Sequence, residues 1–123
     1  MSYRVHPYPA LPVSTICRDP IRNQQGQYLG TIQELMVDTE SGRVAYAVLA
    51  GGGRSELGDQ LLAIPWGLFE IDLVNRRFYL NVDREQLARA ESFDKNDWPD
   101  MSDPNFAKRI HQYYGAPLGP PRG

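Results

Sequence analysis

Apolar residues in this chain fall into short runs separated by turn residues, and the runs between Gly26 and Trp66 set the pattern around which the rest is arranged. Tyr28 to Asp38 reads as one strand, Thr39-Glu40-Ser41-Gly42 as a tight turn, and Arg43 to Leu49 as the returning strand. This is a β-hairpin, with Gly42 at the position that needs a positive φ. Parity breaks inside the first strand: Ile32 belongs to one face, whereas Leu35 and Val37 belong to the other. A β-bulge near Gln33-Glu34 reconciles them, and bulges are how the strands of small barrels bend. Val44 to Ala50 is apolar on both faces, which predicts a strand covered from inside and outside.

Other elements follow in order. Prolines 7, 9 and 12, with Tyr3 before them and Tyr8 between the first two, make residues 1–13 an irregular arm. Ser14 to Cys17 is a short helical turn or edge strand, and Asp19-Pro20 marks a break before a brief strand near Ile21-Arg22. Asn23 to Gly26 is a turn into the hairpin. The glycine-rich stretch Gly51 to Asp59 reads as a flexible connection, after which Gln60 to Trp66 forms a strand that Pro65 ends or confines to an edge. Trp66 to Ile71 is a corner. Asn75-Arg76 then turns the chain into Arg77 to Val82, with Phe78, Leu80 and Val82 facing the core and Arg77, Tyr79 and Asn81 facing out. Asp83 caps a short helix, with Gln86 in a capping-box position and Glu85–Arg89 as an i,i+4 pair. Ser92 to Asp100 reads as a loop or a single helical turn. A stronger helix starts at Asp103-Pro104, gathers Phe106, Ile110, Tyr113 and Tyr114 on one apolar face, and stops at Gly115. The expected division is an arm over 1–13, a β domain over 14–82, a helical extension packed on it over 83–115, and a disordered tail over 116–123.

Composition narrows the picture without sharpening it. With 123 residues, 41% of them hydrophobic and 23% charged, the chain can build one core without disulfide or metal staples. A single cysteine, Cys17, makes an internal disulfide impossible and points to a reducing, cytoplasmic setting. A net charge of -2 supplies no strong attraction for nucleic acid or an anionic membrane. The longest apolar run, Val44 to Ala50, is far shorter than the roughly 20 residues a membrane helix needs. The first residues show no apolar core of a signal peptide.

Candidate chemistry is sparse. The glycine stretch lacks the Lys and Ser/Thr of a phosphate-binding loop, a strand follows it instead of a helix, and Glu56 and Asp59 would repel a phosphate. Asp94, Asp97, Asp100 and Asp103 recur every third residue, but a calcium loop cannot carry Trp98 and Pro99 where an oxygen ligand and a glycine belong. Caps and loop charges are the better account of these aspartates. His6 and His111 have no convergent ligands and read as solvated, Cys17 as a small buried hydrophobe, and Glu34 and Asp38 as structural or surface carboxylates with no pocket to serve. Arg54, Arg76, Arg77, Lys108 and Arg109 are scattered among acids and make no basic stripe.

Three stretches carry a resemblance. Gly26-Gln27-Tyr28-Leu29-Gly30-Thr31-Ile32, Val37 through Tyr46, and Ala63-Ile64-Pro65-Trp66 together resemble the PRC-barrel domain. That domain is shared by the cytoplasmic part of the photosynthetic reaction-centre H subunit and the C-terminal domain of the ribosome maturation factor RimM. The resemblance implies a mainly β protein, a small, strongly bent antiparallel barrel with short C-terminal helices, used for protein–protein assembly and bringing no catalytic residues, cofactor or metal. Asp97-Trp98-Pro99 and Ser102-Asp103-Pro104 through Tyr113-Tyr114-Gly115 look like the extension of stand-alone bacterial members. The function expected is therefore a non-enzymatic interaction module, joined to a protein partner or to a second copy as a homodimer. An accessory role in a membrane or photosynthetic complex, through peripheral association without insertion, and a role with RNA or the ribosome are the alternatives. Trp66, Tyr79, Trp98, Tyr113 and Tyr114 are the candidate interface residues, because a single small barrel with an aromatic helix has more apolar surface than it can hide.

Overall fold

A computed structural model describes residues 10–50, 60–72, 74–75 and 77–118. The glycine stretch, most of the N-terminal arm with His6, and the end of the tail lie outside the described residues. A helical turn, α1 (Val13–Ile16), leads into β1 (Pro20–Arg22), β2 (Tyr28–Asp38), β3 (Arg43–Ala50) and β4 (Gln60–Pro65). A 3-10 turn over Trp66–Leu68 precedes β5 (Phe69–Asp72) and β6 (Arg77–Leu80), then α2 (Arg84–Ala88), β7 (Phe93–Asp94) and α3 (Pro104–Tyr114). The sheet order is β5-β6-β1-β2-β3-β4-β7.

The central hairpin forms as its sequence dictates. Gly42 has φ 78°, its N–H reaches the Asp38 carbonyl at 2.7 Å, and an Asp38 carboxylate oxygen accepts the Glu40 N–H at 3.0 Å. Ile32 pairs with Leu49 and Glu34 with Val48, so Gln33 is the inserted residue and Leu35 turns toward the core. A second irregularity, not foreseen, pairs Met36 with Tyr46 and Val37 with Val44, leaving Ala45 as the extra residue on β3. Beyond it Val37 is 52% exposed, so parity restored at the first bulge does not carry to the strand's end. At Gly30 the φ is 139°, and a β-carbon there would stand 2.3 Å from the carbonyl oxygen of Ala50. Only glycine lets the two backbones come this close.

Several expectations need correction. The corner after Trp66 contains a strand, β5, which pairs with β6 from Phe69–Leu80 to Asp72–Arg77. Phe93–Asp94 is a strand on the edge of β4 rather than a loop, too short for its period to show in sequence. The sheet is antiparallel except at one place, where Arg22 of β1 pairs in parallel with Tyr79 of β6. Phe78, Leu80 and Val82 are buried while Arg77 and Asn81 are exposed, in keeping with the alternation read there.

Four consecutive residues of β3, Tyr46 to Leu49, are buried, so both of its faces are covered. On the Tyr46 side the cover is α3. Asp103 caps this helix by accepting the Asn105 N–H at 2.9 Å, Pro104 occupies its first position, and Gly115 closes it at φ 68°. Phe106, Ile110 and Tyr114 form its buried stripe, each contributing about 1.5–3 kcal/mol by burial. Tyr113, expected on the same face, is 41% exposed, because a fourth residue widens the stripe past the arc the sheet can cover. The outward face of β1, β2, β5 and β6, by contrast, keeps exposed side chains in Arg22, Tyr28 and Glu70.

Candidate interaction surfaces

Two surfaces stand out. The first is a groove of about 770 Å³ between the hairpin end, the Trp66–Leu68 turn and α3 with the residues after it. Tyr46, Trp66, Leu68, Met101 and Leu118 supply its apolar walls, and Asp38, Ser41, Arg43, Ser102 and His111 its polar points. Trp66 owes its place to an aromatic cluster, with ring centroids 5.2 Å from Phe69 and 6.5 Å from Phe78. His111 is not the solvated residue expected. It is half-buried, its ring lies edge-on to Tyr46 at 5.7 Å, and Nδ1 donates to the Pro117 carbonyl at 2.9 Å. It thereby ties the residues leaving α3 back to the helix.

The second surface is a row across four strands. Glu70 on β5 pairs with Tyr79 on β6, Tyr79 with Arg22 on β1, and Arg22 with Tyr28 on β2. Partners in register point to the same side of a sheet, so these four side chains stand in line on the face away from the core. Each is anchored. Gln24 donates to the Glu70 carboxylate at 2.7 Å, Arg22 donates to the Gly26 carbonyl at 3.1 Å, and its guanidinium lies 5.8 Å from the centroid of the Tyr28 ring. Arg84 donates to the Tyr28 carbonyl at 3.0 Å. Sequence reading found Tyr79 but missed Arg22, Tyr28 and Glu70. Residues so far apart in the chain are brought together by the parallel pairing, which leaves no local signal.

The remaining interface candidates scatter. Trp98 is 37% exposed, packs edge-on against Phe93 at 5.2 Å, and donates its indole N–H to the Lys95 carbonyl at 2.7 Å. The Tyr113 hydroxyl donates to the Gln86 carbonyl at 2.6 Å, which joins α3 to α2. Tyr114 lies under it, 8% exposed and 5.0 Å away, and serves the seam between helix and sheet rather than the surface.

Reactive chemistry does not converge on either surface. Burial, and then the charge of Glu34, push the Cys17 thiol up from its ordinary value, which keeps it protonated and a weak nucleophile. Asp94 accepts the Asn96 N–H at 2.8 Å and Asp100 the Ser102 N–H at 2.9 Å, so with Asp103 they act as turn and cap residues. Among the described residues no three His, Cys, Asp or Glu side chains are grouped to hold a metal ion, and no helix is long and apolar enough to cross a membrane.

The PRC-barrel domain family matches residues 10–87, which takes in α1, strands β1 to β6 and most of α2. No curated protein matches the chain.

Proposed function

From the premise that the chain belongs to the PRC-barrel domain family, we propose that it is a non-enzymatic module for protein–protein assembly and that it associates with itself. The observation that carries this reading is the outward face of β1, β2, β5 and β6. Its tyrosines and arginine are of the residue types that anchor protein interfaces; Arg22 and Glu70 are held by hydrogen bonds, and Tyr28 lies beside the Arg22 guanidinium. Preorganised side chains lose little freedom on docking, which favours association. The need for a cover over β3 does not support a partner, since α3 supplies that cover within the chain. A reducing, cytoplasmic setting suits the lone, protonated Cys17 and completes the reading.

Sedimentation equilibrium over a range of micromolar concentrations tests it. Mass that rises from one chain to two with concentration is the expected result. A mass of one chain throughout, with no protein crosslinked to the chain in its native cells, would remove the proposal.

A further inference from the structure

The row Glu70, Tyr79, Arg22, Tyr28 has a symmetry that bears on how two copies could meet. Neighbouring strands are about 4.8 Å apart, so Glu70 and Arg22 stand at nearly equal distances on either side of Tyr79. A two-fold axis lying between two sheets and running along β6 past Tyr79 reverses the order of the row while keeping its spacing. It therefore brings the acid of one copy opposite the base of the other, twice, and places the two Tyr79 rings together at the centre. We propose that a second copy of this chain docks face to face on this row, with Glu70 of each copy meeting Arg22 of the other across an axis at Tyr79. The proposal rests on the reading of the protein as a self-associating module and specifies which face it uses.

Charge complementarity selects this occupant. An isologous interface needs a patch that complements its own rotated image, and an acid and a base equally spaced about a tyrosine meet that need. A polyanion would meet Glu70 as well as Arg22, and the whole chain carries a net charge of -2. The anchors act in the same direction. Gln24 fixes Glu70 and the Gly26 carbonyl fixes Arg22, so the paired charges are aimed before the copies meet. Both tyrosines add apolar area around the charges, and partial desolvation strengthens the pairs.

The experiment is a charge exchange read by sedimentation, with far-UV circular dichroism as the check of folding. E70R and R22E, each alone, place like charges opposite one another and weaken dimerisation at least tenfold. Mixing the two single variants gives a mixed dimer in which each new charge faces its opposite, with the wild-type dissociation constant recovered. The double variant E70R/R22E recovers it as well. Y79E sets two carboxylates against each other on the axis and weakens dimerisation. A wild-type dimer indifferent to these substitutions, or single variants that are not rescued on mixing, would overturn this geometry and leave self-association through another face intact. A wild-type chain that stays monomeric would end this geometry and self-association together, and with no protein crosslinked to it in cells the assembly reading as well.

Discussion

Tyr46 of β3 meets Phe106 of α3 edge to face, with ring centroids 5.8 Å apart and planes at 70°. This contact sits in the seam that joins the helical extension to the sheet, where Ile110 and Tyr114 are also buried. Burial alone pushes the Tyr46 phenol up from its usual value, as a desolvated site requires. Phe106→Ala removes a large buried ring and is expected to cost about 3–5 kcal/mol, whereas Tyr113→Phe loses one surface hydrogen bond, worth about 1 kcal/mol. Urea denaturation of the two variants beside the wild type checks the difference.

Gly30 and Gly67 make a matched pair. A β-carbon at Gly30 would strike the Ala50 carbonyl at 2.3 Å in a backbone conformation that side chains rarely adopt, whereas at Gly67 nothing lies within 4 Å. Gly30→Ala is expected to lose about 2 kcal/mol or more, since strain at such sites runs to about 1–3 kcal/mol before any clash. Gly67→Ala should stay within about 0.5 kcal/mol of the wild type, as surface substitutions generally do. Thermal unfolding of both variants separates them, and equal losses would refute the close approach at Gly30.

Asp72, at the β5–β6 turn, contributes to the acid dependence of stability. Its carboxylate accepts from the Asn75 side chain at 2.7 Å and from the N–H groups of Asn75 at 3.2 Å and Val74 at 3.0 Å, with Arg77 nearby. These interactions, the Asn75 side chain first, hold its pKa below the ordinary carboxylate value. A carboxyl with a depressed folded pKa stabilises the fold above its unfolded pKa, and that contribution is lost as pH falls through the folded value. Wild-type stability should therefore fall as pH drops below the ordinary Asp value, and Asp72→Asn should flatten that fall. Melting temperatures between pH 2 and 6, about the range over which carboxylates titrate, test this.

Asn23 is the one buried polar residue among those described, 1% exposed. Its amide oxygen accepts the N–H groups of Gln25 at 3.0 Å and Gln27 at 2.9 Å, and its nitrogen donates to the Val82 carbonyl at 3.3 Å. Asn23→Ala leaves those groups without a partner and is expected to cost about 1–3 kcal/mol. Asn23→Asp keeps the acceptors but sets a charge against the Val82 carbonyl, and should cost more. Chemical denaturation ranks the two, and the reverse order would contradict the assigned amide orientation.

Much of this fold was legible because it is local. The hairpin from Tyr28 to Ala50, the bulge at Gln33, the outward and inward residues of β6, and the caps at Asp83 and Asp103 each follow from residues a few positions apart. What sequence did not disclose is non-local. Asn23 reads as an ordinary turn residue until Val82 arrives beside it, and β7 is a strand only because Leu61 offers it an edge. The surface row is the clearest case. Arg22 belongs to a three-residue strand too short to show a period, and its neighbour Tyr79 comes from another part of the chain.

The same pairing bears on how the protein emerges from the ribosome. The hairpin, and β1 on its β2 edge, can pair as soon as they are synthesised, but the other edge of β1 must wait for β6, and Asn23 for a carbonyl 59 positions later. Until then the nascent chain exposes a half-built sheet with an open edge, a state prone to mispairing and helped by chaperones. A translational pause before Val82 has emerged from the ribosome should lower the yield of soluble protein more than the same pause after it has emerged.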